Sequence, residues 1–390
     1  MTYSKKIYLL LLFGLYFCSS SCTKNFQQLN ATHNAPSATT IPPLINGIIS
    51  SLFLGGQEQA SIHFDYYYPI TQLAAESSPS GYVFSNGIND IWNNYYSNLQ
   101  NMNLAQDKIN EVTDKQSMNN IQAVLYILRA YKTFRVTDQF GDIPYFNAGK
   151  AYTGSVANFR VSYDSQKLIY DSLLNNLTWA VNNINTSANP VTASGTPYET
   201  LGSFDTFFGG DMTKWLKFAN SLRLRYAMQM VEKNPAGAAL IVQDALSGKA
   251  PLIGDGEDVG MWPKQLGGYD LWVRWWSISS GGTGFARMSS TFWNMVSDGP
   301  DSADIFDPRA YLFVETNAAG KWAPYIIGSN LPDNVNAYIS STDPTNKNNC
   351  AFSLFNWYLV RDEWYIPELM MTAAEVHFLK AEAYARGIGV

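Results

Sequence analysis

The sequence predicts a mostly α-helical protein, a stack of helical hairpins that carries one loop-rich lobe. Apolar residues recur at three- and four-residue steps in several long segments, which is the spacing of one helix face. Alternating strand patterns are scarce. Between residues 252 and 364, Gly, Pro, Asn and Asp interrupt short aromatic runs, so we expect an irregular insertion there.

Five amphipathic helices are predicted before that insertion. The first follows Pro42 and Pro43, which suit a first helical turn, and the second spans residues 89–109. The third ends near Gly141, where a glycine can cap a helix. The apolar stripes of the first, third, fourth and fifth helices are, in order, Ile45-Ile48-Ile49-Leu52-Phe53, Ile121-Val124-Leu125-Leu128, Ile169-Leu173-Leu177-Ala180 and Trp215-Phe218-Ala219-Leu222-Tyr226. A tetratricopeptide-like stack agrees with these pairs, although no fixed repeat period demonstrates it.

A last helix is predicted from Pro367 onward, with the apolar stripe Met370, Met371, Ala374, Phe378, Ala381 and Tyr384. Residues 373–386 read as the first helix of a hairpin. The sequence contains no following helix to cover Phe378, Ala381 and Tyr384, so we expect one apolar face to lack a partner.

Composition excludes several classes of protein. Hydrophobic residues make up 46% of the 390 residues and charged residues 15%, which excludes an intrinsically disordered chain. The 26 Lys and Arg against 32 Asp and Glu give a net charge of −6. Without Lys5 and Lys6 of the leader the balance is 24 − 32 = −8, so we predict no nucleic-acid partner.

The N-terminus reads as a signal for export. Lys5 and Lys6 precede an apolar run from Ile7 to Cys18, which is too short to span a bilayer that needs roughly twenty apolar residues. Small residues follow, and then Cys22, an order that resembles a bacterial lipobox. Ser19 stands where that signal usually has Leu, so plain secretory cleavage is the alternative. We predict a signal peptide at 1–21, a lipidated Cys22 with a polar tether to residue 40, and a folded region at 41–390.

Cysteine and histidine counts limit cofactor chemistry. Cys18 leaves with the leader and Cys22 takes lipid, so Cys350 has no thiol partner for a disulfide. His33, His63 and His377 show no zinc-protease spacing and are too few, with one thiol, for structural zinc. Residues 255–258 (DGED) begin like a calcium loop, but Leu266 stands at its twelfth position. We predict no metal and no other cofactor.

Three motifs together resemble the SusD/RagB-like family, the nutrient-binding outer-membrane lipoproteins of Bacteroidetes. They are TDQFGDIPY at 137–145, YDSQ at 163–166 and GGDMTKWLKFANSLRLR at 209–225, and the last is the most specific. Taken by themselves, the same residues read as structural: Asp211 as a helix cap, Trp215 and Phe218 as core, and Arg223 and Arg225 as partners for solvent or carboxylates.

The resemblance implies a fold, a function and a partner. It implies a tetratricopeptide-like helical stack in a lipid-anchored, non-catalytic receptor. This receptor would be tethered to the outer membrane at the cell surface and would not span the membrane. That receptor would capture oligosaccharides or other polymer fragments for a SusC-like, TonB-dependent transporter. Relatives typically continue well beyond the AEAYAR segment at 381–386, so we expect a C-terminally incomplete member.

Aromatic density in irregular regions supplies the candidate ligand residues. Sugar rings stack their C–H faces on flat aromatic side chains. Trp262, Tyr269, Trp272, Trp275 and Trp276 lie within fifteen residues and share no helical or strand stripe. Tyr82 and Phe84 form a second candidate group, ahead of a helix whose Trp92, Tyr95 and Tyr96 read as core. The alternative is that these rings seal the lobe.

Other functions remain open from the sequence. A peptide ligand agrees with the same family resemblance. A surface glycoside hydrolase requires two carboxylates at a controlled separation, and nothing singles out such a pair among the 32 acidic residues. A helical adaptor for other proteins is a third reading, and binding of a soluble glycan would exclude it.

Lipidation of Cys22 gives the first testable prediction. Cys22→Ala should move the protein from the membrane fraction to the soluble fraction, because two or three acyl chains provide stable anchoring. Cys350→Ala is the matched control and should stay membrane-bound. Unchanged partitioning of Cys22→Ala after a carbonate wash would contradict the prediction.

Overall fold

Packed α-helices make up most of the structure, which confirms the predicted fold class. The computed structural model describes residues 41–52, 67–75, 87–262, 287–300, 302–327, 351–356 and 367–390. The predicted leader, Cys22 and the tether lie outside these residues. All the residues described below belong to one compact unit, 41–390.

The described helices are α1 (Ile41–Ser50), α2 (Tyr68–Thr71), α3 (Gly87–Glu111), α4 (Asn119–Phe140), α5 (Gln166–Asn183), α6 (Met212–Gln229), α7 (Pro235–Leu246), α8 (Ser290–Val296), α9 (Ala310–Phe313) and α10 (Ala373–Arg386). The described strands are short: β1 (Ala74–Ala75), β2 (Val259–Met261), β3 (Arg287–Met288), β4 (Val314–Glu315), β5 (Leu354–Phe355) and β6 (Glu368–Met371). They form one sheet in the order β1-β3-β5-β4 and one pair, β2-β6.

The helices pack in chain order around one apolar core. Helix α1 lies on α3, α3 on α4, α4 on α5, α5 on α6, and both α7 and α10 on α6. Helix α4 is buried along several faces, including Leu125, Leu128 and Phe134 at 0% exposure, because neighbours cover it on more than one side. The five helices predicted before the lobe correspond to α1, α3, α4, α5 and α6. Helix α7 was not predicted, although Asn234 and Pro235 mark its first turn.

Asp205 fixes the turn that leads into α6. Its buried carboxylate accepts the backbone N–H groups of Phe207, Phe208 and Gly210 and the indole N–H of Trp215, the last two at 2.8 Å. Trp215 is fully buried as a result. Asp211 then caps α6 by accepting the N–H groups of Thr213 and Lys214, as predicted.

Polar side chains on α6 attach the following segments to the helix. Asn220 donates to the carbonyl oxygens of Ala245 and Ala250, and Ser221 accepts the N–H of Ile253 at 3.0 Å. Arg223 is buried and pairs with Asp244 at 2.6 Å, with a further bond to Asn220. Residues 245–253 are therefore held to α6 by hydrogen bonds as well as by apolar packing.

The C-terminal segment differs from the prediction at its start. Residues Glu368–Met371, predicted as helix, form strand β6, whose backbone pairs with β2 and buries Met370 and Met371. Helix α10 begins after Thr372, whose hydroxyl accepts the N–H of Glu375. This Thr-x-x-Glu spacing is a capping signal. The helix buries Ala373, Val376 and Ala383, while Phe378 and Tyr384 are 75% and 63% exposed.

Within the described ranges, no helix has both the length and the apolar character needed to cross a membrane.

Removal of the Asp205 carboxylate tests its role in the fold. Asp205→Ala should lower the free energy of unfolding by about 3 kcal/mol or more, because several buried donors lose their acceptor at once. Asp211→Ala is the control: it removes one exposed helix cap and should cost about 1 kcal/mol. Urea denaturation followed by circular dichroism measures both, and equal losses would show that Asp205 is an ordinary turn residue.

Candidate functional site

The loop-rich lobe has its own small core, apart from that of the helices. Met288, Trp293, Val296, Ala310 and Val314 are buried together. They are covered by partly buried side chains, among them Trp322 and Phe355. Short elements and turns build this part of the chain, as the scattered Gly, Pro, Asn and Asp of the sequence predict.

Strands β1 and β3 bring two distant parts of the sequence together. They are antiparallel, with Ala74 opposite Met288 and Ala75 opposite Arg287. The chain therefore leaves Ala75 and enters Arg287 at the same end of the strand pair. Residues 76–86 begin at that end and residues 263–286 finish there, and these two segments carry the predicted ligand aromatics. Tyr82, Phe84, Tyr269, Trp272 and Trp275 themselves lie outside the described residues.

Ser289 ties the β1 side of this junction to the lobe. It is fully buried, and its hydroxyl donates to the carbonyl oxygen of Gln72. The hydroxyl oxygen of Ser289 also accepts the N–H of Phe292 at 2.9 Å. The hydroxyl of Thr291 donates to the side-chain oxygen of Gln72 at 3.1 Å. Residues before β1 are thus held by the first turn of α8.

Trp262 is the one predicted ligand residue within the described ranges. It follows β2 directly and is 39% exposed. Strand β2 pairs with β6, and β6 is held by Arg225 of α6, which donates to the carbonyl oxygen of Met370 at 2.8 Å and pairs with Glu375. The helical scaffold thus holds the strand that ends directly before Trp262, and the lobe sheet holds Arg287.

Several lobe aromatics are structural. Trp293 and Trp322 stack with centroids 5.4 Å apart and planes at 22°, and Tyr311 meets Trp322 edge-on. The Trp293 indole N–H donates to the carbonyl oxygen of Gly299 at 2.9 Å, and only 4% of the residue is exposed. The alternative that aromatic residues seal the lobe holds for this pair. Sequence reasoning had not singled out either tryptophan.

A second aromatic group lies at the N-terminal end of α3. Tyr95 is buried, as predicted, but Trp92 and Tyr96 are only partly buried. The Tyr96 hydroxyl donates to the carbonyl oxygen of Pro144 at 2.9 Å. Burial, with smaller contributions from Tyr163 and Asp164, raises the pKa of Tyr96. The phenol therefore stays neutral and remains a hydrogen-bond donor.

Carboxylates of the 255–258 turn each have a protein partner. Asp255 contacts the His377 ring nitrogen at 2.8 Å, Glu257 pairs with Lys217, and Asp258 accepts the N–H of Ala373 at 2.8 Å. The Lys217 contact is the main cause that lowers the pKa of Glu257. Among the described residues, no group of three or more His, Cys, Asp or Glu side chains is placed to hold a metal ion.

The structure is a stack of α-helices that carries a separate loop-rich lobe. The chain belongs to the SusD-like family: the profile described as "Starch-binding associating with outer membrane" matches residues 33–390. Membership makes it a nutrient-binding protein of the outer membrane. No curated protein matches the sequence.

Solved structures show the same fold. A SusD homolog from Parabacteroides distasonis is 23% identical with a TM-score of 0.68, and the match covers 90% of this chain and 69% of that one. A SusD-like protein from Bacteroides thetaiotaomicron is 19% identical (TM-score 0.62; 89% and 66% covered). A chitin-binding SusD homolog from Flavobacterium johnsoniae is 22% identical (TM-score 0.63; 89% and 66% covered). The chain thus spans about two thirds of their length.

The Ser289 contacts generate a prediction about the β1–β3 junction. Ser289→Ala removes a helix cap and the bond to Gln72, so amide hydrogen exchange of Leu73 to Ala75 should accelerate by about fivefold, the equivalent of roughly 1 kcal/mol. The neighbouring Ser290 makes no side-chain hydrogen bond within the described residues, so Ser290→Ala is the matched control. Equal exchange in both variants would show that Ser289 does not hold this segment.

Proposed function

We propose that this protein is a lipid-anchored, non-catalytic receptor at the cell surface that captures oligosaccharides and passes them to a SusC-like, TonB-dependent transporter. Cys22 would carry the anchor. The family match supports the outer-membrane and carbohydrate part of this proposal. The transporter as partner and the surface location come from the family resemblance.

The observation that carries the proposal is the register of β1 and β3. In this register Ala75, directly before residues 76–86, lies opposite Arg287, directly after residues 263–286. Trp262 marks the far end of the longer segment with a partly exposed indole. A ligand site that uses both segments would explain why a sequence with 14% aromatic residues concentrates five of them in residues 262–276.

The chemistry of these segments suits a neutral sugar chain. Flat aromatic rings offer apolar surface to the C–H faces of pyranose rings, and their edges leave hydroxyl groups free. Asp270 and Arg274 stand between the tryptophans and supply hydrogen-bond partners for hydroxyls. Capture and release need no bond cleavage, so the proposal assigns no catalytic residue.

Binding to two glycans of equal length tests the proposal. Full-length protein in detergent should bind N-acetyl-chitohexaose or maltohexaose in calorimetry. Trp272→Ala and Tyr82→Ala should each weaken that binding by about 1 to 3 kcal/mol without lowering the melting temperature. Phe159→Ala, which removes an aromatic ring that is 65% exposed elsewhere, should leave affinity unchanged.

Other outcomes identify the alternatives. Shortened sugar products after incubation would indicate a glycoside hydrolase. Binding of a peptide library with no binding of any glycan would replace the sugar ligand by peptide. A large drop in melting temperature with intact affinity in the Trp272 and Tyr82 variants would assign these rings to the lobe core.

A further inference from the structure

Trp92 is half-buried, and its neighbours surround it unequally. Phe140 meets it edge-on, with centroids 5.3 Å apart and planes at 72°, and Tyr96 packs at 4.7 Å and 52°. Tyr163 lies at 6.3 Å with a plane only 31° from that of the indole. The planes of Trp92 and Tyr163 are therefore closer to parallel than those of Trp92 and its other two ring neighbours.

Tyr163 is held in place although its side chain is open to solvent. The next residue, Asp164, exchanges both backbone hydrogen bonds with Ile143, at 2.9 and 3.2 Å. The Asp164 carboxylate accepts the N–H groups of Tyr145 and Phe146 at 2.8 and 2.9 Å. Tyr163 itself is 64% exposed. A fixed backbone beneath an exposed ring lowers the ordering cost of binding to that ring.

An amide side chain borders this ring pair. Asn89 precedes Trp92 by three residues on α3, which places the two side chains next to each other on the helix surface, and Asn93 lies one turn after Asn89. Both are exposed, and neither has a hydrogen-bond partner among the described residues. Free amides donate and accept hydrogen bonds, which is what sugar hydroxyls require.

We propose that Trp92 and Tyr163 form a second sugar-stacking surface, bordered by Asn89 and distinct from the lobe site. This inference rests on the proposed function, because it assumes a glycan ligand. It deepens that function by adding a place on the helical scaffold where sugar units can stack. Helix α3 starts directly after residues 76–86, so the two sites adjoin in the chain.

Fluorine NMR on full-length protein labelled with 5-fluorotryptophan tests the surface directly. The Trp92 resonance is assigned by its loss in Trp92→Phe. Titration with N-acetyl-chitohexaose, and separately with maltohexaose, should shift this resonance saturably for the glycan that binds in calorimetry. Tyr163→Ala should raise the dissociation constant read from this resonance by roughly threefold to tenfold, because the ligand loses one stacking ring.

Two variants separate stacking from structure. Tyr384→Ala removes a tyrosine of matching exposure, 63%, that makes no ring contact among the described residues, and it should leave the titration unchanged. Tyr163→Phe keeps the ring and should bind like the unmodified protein. Equal weakening in Tyr163→Ala and Tyr384→Ala would overturn the proposal.

The failure of this inference differs from the failure of the proposed function. If other tryptophan resonances shift while that of Trp92 does not, the second surface is excluded and glycan binding stands. If neither hexasaccharide shifts any tryptophan resonance and calorimetry shows no binding, the glycan function fails and this surface fails with it.

Discussion

The buried Asp205 carboxylate is the interaction on which the rest of the structure depends. Four N–H groups converge on it, three from the turn after residue 206 and one from the Trp215 indole. A buried charge is tolerated only when its hydrogen bonds are satisfied, and here satisfying them fixes the turn and the first buried ring of α6 together. Because α5, α7 and α10 all pack on α6, the position of this helix determines where its neighbours lie.

Helix α6 transmits that position to the candidate site. Arg225 holds β6 through Met370 and α10 through Glu375. Burial disfavours the Arg225 charge, but the Glu375 carboxylate together with Tyr226 and Tyr131 keeps the pKa of Arg225 above the ordinary arginine value. Since β6 pairs with β2, the same arginine places Trp262. The helical scaffold therefore reaches the strand next to Trp262 through two hydrogen-bonded steps.

The sequence predicted what depends on local pattern. Asp211 as a cap, and Trp215 and Phe218 as core, follow from spacing alone, and the structure confirms them. Asn220, Ser221 and Arg223 are buried too, which hydropathy does not indicate because their partners lie more than twenty residues away.

The prediction of helix at Glu368–Met371 was wrong for the same reason. Only the pairing of β6 with β2, over a hundred residues earlier, makes this segment extended. The β1–β3 pairing is equally non-local, because it joins residues more than two hundred positions apart, and no local pattern indicates it.

Solvent exposure distinguishes aromatic residues that pack inside the protein from those that face solvent, which their spacing in the sequence could not do. Trp293 and Trp322 face each other, and the Trp293 indole N–H is already bonded to Gly299, so both the ring and the N–H of Trp293 have protein partners. Trp262 and Tyr163 keep 39% and 64% of their surface open. Leaving a large ring in water forgoes burial energy of about 25 cal/mol per Å². Under the proposed function, these two rings would recover part of that energy by contact with a sugar chain, whereas Trp293 has already recovered it within the lobe core.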